Sequence, residues 1–159
     1  MKAIVCVKEV PETPDGVRAT DQGYLSAKED GSFLVDPIGP YAIETALQLR
    51  DQKGGEVVVL CQGTARAEKI LKESALAVGV NEAFLLADEA MTGADPHATA
   101  RALAAAIRKV GEYDLILCGD RAADDNGAIV GPSLARLLDI PALTFVCLIY
   151  TTDAADHLD

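Results

Sequence analysis

The sequence predicts an α/β domain in three layers, with a mainly parallel sheet covered on both faces by helices. Two observations carry this. Short apolar runs, IVCV at residues 4–7, VVVLC at 57–61 and LILC at 115–118, alternate with segments of helical periodicity. Runs without in–out alternation suit strands buried on both faces of a parallel sheet, and intervening helices supply the right-handed crossovers that such strands need. The second observation is that aromatics are scarce: four Tyr, three Phe and no Trp. The core must therefore be built from Ala, Val, Leu and Ile, which suits close packing of helices on a sheet.

The elements follow in order. Residues 3–7 read as the first strand. A polar connection then passes Pro11, Pro14, Asp15 and Gly16. Residues 23–35 read as one or two short strands, with turns at Gly23 and at Asp30-Gly31. Residues 41–51 place Ala42, Ile43, Ala46, Leu47 and Leu49 at helical spacing, with Pro37 and Pro40 ahead and Gly54-Gly55 behind. A strand at 56–61 leads through Gly63 to a helix at about 65–77, stopped by Gly79. A strand at 83–87 follows. Asp95-Pro96 then reads as an N-cap with proline in the first turn of a helix reaching about Val110. A strand at 114–118, a helix from about Ala128 to 138–139 and a last strand at 143–149 complete the order. The whole is a Rossmann-like three-layer fold in one domain, residues 1–150, with a polar tail at 151–159.

The 159 residues are enough for a domain this size to bury about two-thirds of its unfolded surface. The formal charge of −11 disfavours nucleic acid and anionic lipid as partners. It reads as a solvated acidic face, or as a surface for a basic partner. Cys6, Cys61, Cys118 and Cys147 each sit in an apolar run, without a CxxC pair, and read as buried reduced thiols. The N-terminus enters a strand at once and no apolar run approaches the ~20 residues of a bilayer span. A cytoplasmic location without membrane insertion is expected.

Residues 114–132, DLILCGDRAADDNGAIVGP, hold the strongest functional signal. An apolar strand runs through Gly119 into a loop of Gly and Asp, and a helix follows whose first N–H groups lack intrahelical partners. Open α/β sheets bind nucleotides at such places, although an ordinary βα connection has the same local pattern. The topology brings four segments to the same end of the sheet: Cys6, Val7 and Lys8; Asp36, Pro37, Ile38 and Gly39; Gln62 and Gly63; and the stretch from Gly119 to Gly131. Such a cleft supplies backbone N–H groups for phosphate and backbone polar atoms for adenine, but no reaction. No catalytic residue is assigned: Ser133 lacks a GxSxG context and His97 reads as exposed in a first helical turn. Neither GxxxxGK[ST] nor GxGxxG occurs. Asp120, Asp124 and Asp125 read as acids that orient the loop rather than as a cation site, and no metal site is assigned.

Several segments together resemble the β subunit of electron-transfer flavoproteins, including relatives associated with nitrogen fixation. They are IVCVKEVPET, DPIGPYAIETALQLRD, GGEVVVLCQGTARAEKILKESALAVGVNEAFLLAD, GADPHATARALAAAI and YDLILCGDRAADDNGAIVGPSLARLLDIPALTFV, matched in order over about residues 3–148. The resemblance implies an adenine-nucleotide-binding fold whose cleft holds AMP or, in electron-bifurcating relatives, a second FAD. It implies an α subunit carrying the main FAD, dehydrogenase redox partners, and an electron carrier rather than an enzyme. Carried over by motif, the ligand contacts come from Cys6, Asp36 to Gly39, Gln62, and the loop Gly119, Arg121, Ala122, Asp124, Asn126, Gly127, Ala128, Ile129 and Val130. The helix start at Gly127–Gly131 faces phosphate, Asp124 orients the loop and Arg121 offers positive charge.

The chain departs from the family pattern in three ways. Asp120 stands where a base is usual, Ile129 where a Gln is usual, and Gly39-Pro40 replaces a more polar pair. Family members also continue beyond residue 150 with a partner-recognition loop and an arm gripping the α subunit, so the sequence reads as a truncated relative. The alternative is a stand-alone adenine-nucleotide module of universal-stress type, although Gly119, Gly127 and Gly131 do not match the phosphate loop of those proteins.

Overall fold

A computed structural model describes residues 1–12, 17–19, 21, 25–27, 32–88, 91 and 93–146. The chain folds as β1 (Lys2–Pro11), β2 (Val17–Ala19), β3 (Leu25–Ala27), β4 (Phe33–Val35), α1 (Gly39–Lys53), β5 (Glu56–Gln62), α2 (Ala67–Ser74), a 3-10 turn (Leu76–Val78), β6 (Glu82–Leu86), α3 (Pro96–Val110), β7 (Leu115–Cys118) and α4 (Val130–Leu138).

The parallel strands lie in the order β6–β5–β1–β7. The same residues of β1 pair with β5 on one side and β7 on the other, Cys6 standing opposite both Leu60 and Cys118. The far end of β1 pairs antiparallel with β4 through Glu9, Val10 and Pro11. Side-chain alternation divides the core in two. Val5, Val7, Val57, Val59 and Cys61 pack with Ile43, Ala46, Leu47, Ala67 and Leu71 of α1 and α2. Ile4, Cys6, Val58 and Leu60 pack with Leu103, Ala104, Ile107 and Leu134 of α3 and α4. Both faces of β1 and β5 are thus dry, which is why these strands read as unbroken apolar runs. The three-layer Rossmann-like arrangement is present.

The order of strand addition reverses about β1: β5 and β6 lie to one side, while β7 is added on the other. This is the switch point at which open α/β sheets form a crevice beyond the C-terminal strand ends. Two glycines fix close approaches that shape the sheet. Gly55 has φ 119°, and a Cβ there would strike the backbone of Met1. Gly39 starts α1 so near β1 that a Cβ would lie 2.8 Å from Val35 Cγ1 and 3.2 Å from Val7 Cγ1.

Several boundaries differ from the sequence reading. The first strand runs on to Pro11, and β2 adds a strand to the connection expected to be polar loop. The first helix begins at Gly39 with Pro40 inside its first turn. The second ends at Ser74 and tightens into the 3-10 turn that Gly79 closes at φ 99°. The last helix begins at Val130 rather than Ala128, because Asn126 at φ 55° and the hydrogen-bonded 122–127 loop hold the preceding residues out of helical geometry. Residues 143–146 are not a strand: Phe145 has φ 53°, and Leu143, Phe145 and Val146 are exposed. Residues 147–149, Cys147, the turns at Gly23 and Asp30-Gly31, and the tail at 151–159 lie outside the described residues.

Candidate functional site

The crevice is built by the segments that follow β1 and β7. Asp36 joins them. It is buried, at 4% exposure. Its backbone N–H donates to the Lys8 carbonyl at 2.8 Å, which fixes it to the end of β1. Its Oδ1 accepts the Ile38 N–H at 3.0 Å and its Oδ2 accepts the Ala123 N–H at 2.6 Å. One carboxylate therefore shapes the entry to α1 and holds the loop after β7. Ile38 packs against Gly119, where an added Cβ would lie 3.2 Å from its Cγ2.

A second clasp lies at the surface. Lys8 Nζ is 2.8 Å from Asp124 and 3.5 Å from Asp125. The loop is also closed internally. Ala122 N–H donates to the Gly127 carbonyl, Asn126 N–H to the Ala122 carbonyl, and Gly127 N–H to Asp125 Oδ1 at 2.7 Å. Arg121 pairs with its neighbour Asp120 at 2.9 Å. The acids thus orient the loop and engage its two cations.

Two helix starts border the crevice, α1 after Ile38 and α4 after Ile129, and neither N-cap makes a side-chain capping hydrogen bond. By contrast Asp95 caps α3 through the Ala98 N–H at 2.7 Å, as its sequence position predicts, and the adjacent His97 is exposed. One strand away from Lys8, Gln62 Oε1 is buried without a hydrogen-bond partner among the described residues. An orphaned buried acceptor is uncommon in a folded protein and asks for a donor.

The sequence-derived site residues separate by position. Val7, Lys8, Asp36, Pro37, Ile38, Gly39, Gly119, Ala122 and Asp124 meet around the switch point. Asn126, Gly127, Ala128, Ile129, Val130 and Gly131 lead from that loop into α4, with Ile129 exposed. Gln62 and Gly63 lie at the end of the neighbouring strand. Cys6 and Asp36 face inward, and Arg121 lies at the rim. The sequence reading missed Glu9. Its side chain is 3% exposed, and it accepts the Thr64 N–H at 2.7 Å and the Thr64 hydroxyl at 3.0 Å, with Arg66 at 3.9 Å. A carboxylate interrupting a strand run, KEV, is the signal that would have found it. Gly63 makes room for this clamp, since a Cβ there would come within 2.9 Å of Glu9 Oε2.

A shallow depression lined by Met1, Gly55, Tyr113 and Asp114 lies at the opposite, N-terminal end of the strands, away from these loops and helix starts. No helix among the described residues is long and apolar enough to cross a membrane.

A family model for the electron transfer flavoprotein domain matches residues 25–155. An electron transfer flavoprotein subunit beta of Thermoanaerobacterium thermosaccharolyticum is 42% identical over 146 residues, covering 92% of this chain and 55% of the relative. The caffeyl-CoA reductase-Etf complex subunit CarD of Acetobacterium woodii is 39% identical, covering 92% and 55%. Protein FixA of Azorhizobium caulinodans is 38% identical over 159 residues, covering 98% and 56%. The chain spans about half the length of these curated relatives.

Proposed function

From the chain's membership of the electron transfer flavoprotein domain family, we propose that it is a β-subunit-like protein whose switch-point crevice holds an adenine nucleotide, AMP or FAD. The observation that carries this reading is the clasp of Asp36 on Ile38 and Ala123, which joins the two loops of the crevice. The α4 start, without a side-chain cap, borders it, and backbone N–H groups at such an end suit a phosphate; at α1 the Gly39 and Tyr41 amides already donate to the Asp36 and Ile38 carbonyls.

The donor set fits this ligand class. The carboxylates of Asp36 and Glu9 are taken up by the protein's own donors. What remains for a ligand is largely neutral: strand-end backbone, the α4 start, and the unpartnered Gln62 Oε1 for a donor such as an amino group. Lys8 and the 122–127 loop position the ligand, and Ile129 presents an apolar face at the helix start. A bound FAD would supply reversible electron transfer, whereas AMP would serve as structural filling; the chain contributes binding and field in either case. On this reading an α subunit carries the main FAD, dehydrogenases are the electron donors, and the chain is not an enzyme by itself. The relatives named for reductase–Etf complexes and for an electron transfer subunit of acryloyl-CoA reductase support a role inside such an assembly.

The test is to purify the chain without added ligand, denature it, and identify what is released by chromatography and absorbance. AMP would support a structural nucleotide and FAD a working flavin. ATP would favour a stand-alone nucleotide module. If nothing is released, and neither AMP nor FAD binds on titration, the proposal fails for this length of chain.

A further inference from the structure

Two cysteines meet at the switch point. Cys6 of β1 and Cys118 of β7 are register partners on adjacent parallel strands. Both thiols are free and both belong to the face packed by α3 and α4. Neighbouring strands lie about 4.8 Å apart, inside the roughly 4.4–6.8 Å window of Cα separations that a disulfide spans. Cys118 is partly exposed, whereas Cys6 is 7% exposed. Cys61, the other cysteine on a described strand, is buried on the opposite face of the sheet.

We propose that Cys6 and Cys118 form a dithiol modification site that a hydroperoxide converts to an intramolecular disulfide. The site lies beyond the nucleotide-binding reading and does not depend on it.

The two thiols are unequal. The adjacent Cys118 thiol, then burial, raises the Cys6 pKa well above the ordinary thiol value, and the Cys6 thiol lowers that of Cys118. Cys118, the more exposed of the two, is thus the attacking sulfur and Cys6 the resolving one. In the first step the Cys118 thiolate attacks one oxygen of the hydroperoxide. The O–O bond breaks, hydroxide or alkoxide leaves, and Cys118 becomes a sulfenic acid. In the second step Cys6 sulfur attacks Cys118 sulfur. An S–S bond forms, the S–O bond breaks, and the Cys6 proton leaves with the hydroxyl as water. Two thiols have been oxidised and one peroxide reduced. A dithiol reductant reverses the change by thiol–disulfide exchange.

The test treats the folded chain with hydrogen peroxide, blocks free thiols with iodoacetamide in denaturant, and reads intact mass and peptides. The expected result is an intact mass about 116 Da below that of the untreated, fully alkylated chain (two hydrogens lost and two thiols unblocked) and a peptide pair joined through Cys6 and Cys118. Free thiols fall from four to two, and dithiothreitol restores them. In Cys6→Ser the sulfenic acid persists and dimedone labels Cys118; in Cys118→Ser, Cys6 stays reduced. The wild-type result stands even if a variant folds poorly. Cys6 and Cys118 both remaining alkylatable, or pairing instead with Cys61 or Cys147, would overturn the proposal. So would Cys118 proceeding to sulfinic acid with Cys6 still reduced.

Discussion

Replacing Asp36 with Ala removes one side chain and opens two loops. In the wild type its oxygens accept the Ile38 and Ala123 amides at 3.0 and 2.6 Å, and the residue is 4% exposed. A hydrogen bond to a charged acceptor contributes about 1.5–3 kcal/mol, and losing the acceptor leaves buried donors unsatisfied. Relief from keeping a carboxylate out of water offsets part of this, leaving a net loss of about 2–4 kcal/mol. With a urea slope of about 2 kcal/mol/M, the unfolding midpoint falls by roughly 1–2 M. Asp36→Asn keeps one acceptor oxygen and presents an NH2 group to the other donor, so it loses nearly as much. The decisive readout is local. Hydrogen exchange at the Ala123 amide accelerates in Asp36→Ala, while amides in the centre of β5 slow or quicken only with global stability. An unchanged Ala123 exchange rate, or a midpoint within about 0.2 M of wild type, would refute the clasp.

Two glycines give opposite expectations. Gly39→Ala forces a Cβ to 2.8 Å from Val35 Cγ1 in a packed core and costs about 1–3 kcal/mol. Gly131→Ala meets only Cys118 Cβ at 3.7 Å, an ordinary contact, and gains up to about 1 kcal/mol of helix propensity; urea titration of both variants checks the contrast. Cys61 gives a pH signature. Burial, then the neighbouring Glu9 charge, push its thiol up to about 12 from an ordinary 9.0. The folded state thus holds a proton that the unfolded state releases. This contribution is complete below pH 9 and disappears as pH rises from 9 towards 12. Relative to Cys61→Ala, the wild type should lose stability over that window, as followed by urea midpoints at pH 8, 9.5 and 11. Parallel curves would refute the assignment.

What the sequence made legible was local. The continuous apolar runs of β1 and β5 announced two-sided burial because alternate residues fill separate cores. Asp95-Pro96 announced α3 because cap and proline lie side by side. The candidate crevice was legible as a set of strand ends, since the order of strands and helices brings Lys8, Asp36 and Gly119 together, with Gln62 one strand away. Its wiring was not. Asp36 is joined to Ala123 across 87 positions, and Ala123 takes part through a backbone N–H that no side-chain pattern records. Glu9 reads as one more acid in an acidic chain until Thr64 is folded against it. The reading failed outright at residues 143–146, where β-branched and aromatic residues suggest a strand. There the exposed side chains find no partner element among the described residues.

The charges around the crevice also restrict what it can hold. Lys8 is shared between Asp124 and Asp125, and Arg121 is held by Asp120, so the two cations are matched by carboxylates before any ligand arrives. Asp36 adds a further negative charge beneath the loop. A ligand phosphate must rely on the backbone dipoles of the α4 start while facing nearby acids, and each added phosphate charge adds repulsion that Lys8 and Arg121, already matched by carboxylates, do not meet. The exposed part of this repulsion is screened over about 10 Å at 0.1 M salt. AMP should therefore bind more tightly than ATP at low salt, and the gap should narrow as salt is raised. Calorimetry of both nucleotides at about 0.02 and 0.3 M salt measures this. ATP binding as tightly as AMP at low salt would mean that Lys8 leaves its acids to meet the ligand, and that the surface clasp is a gate rather than a fixed part of the wall.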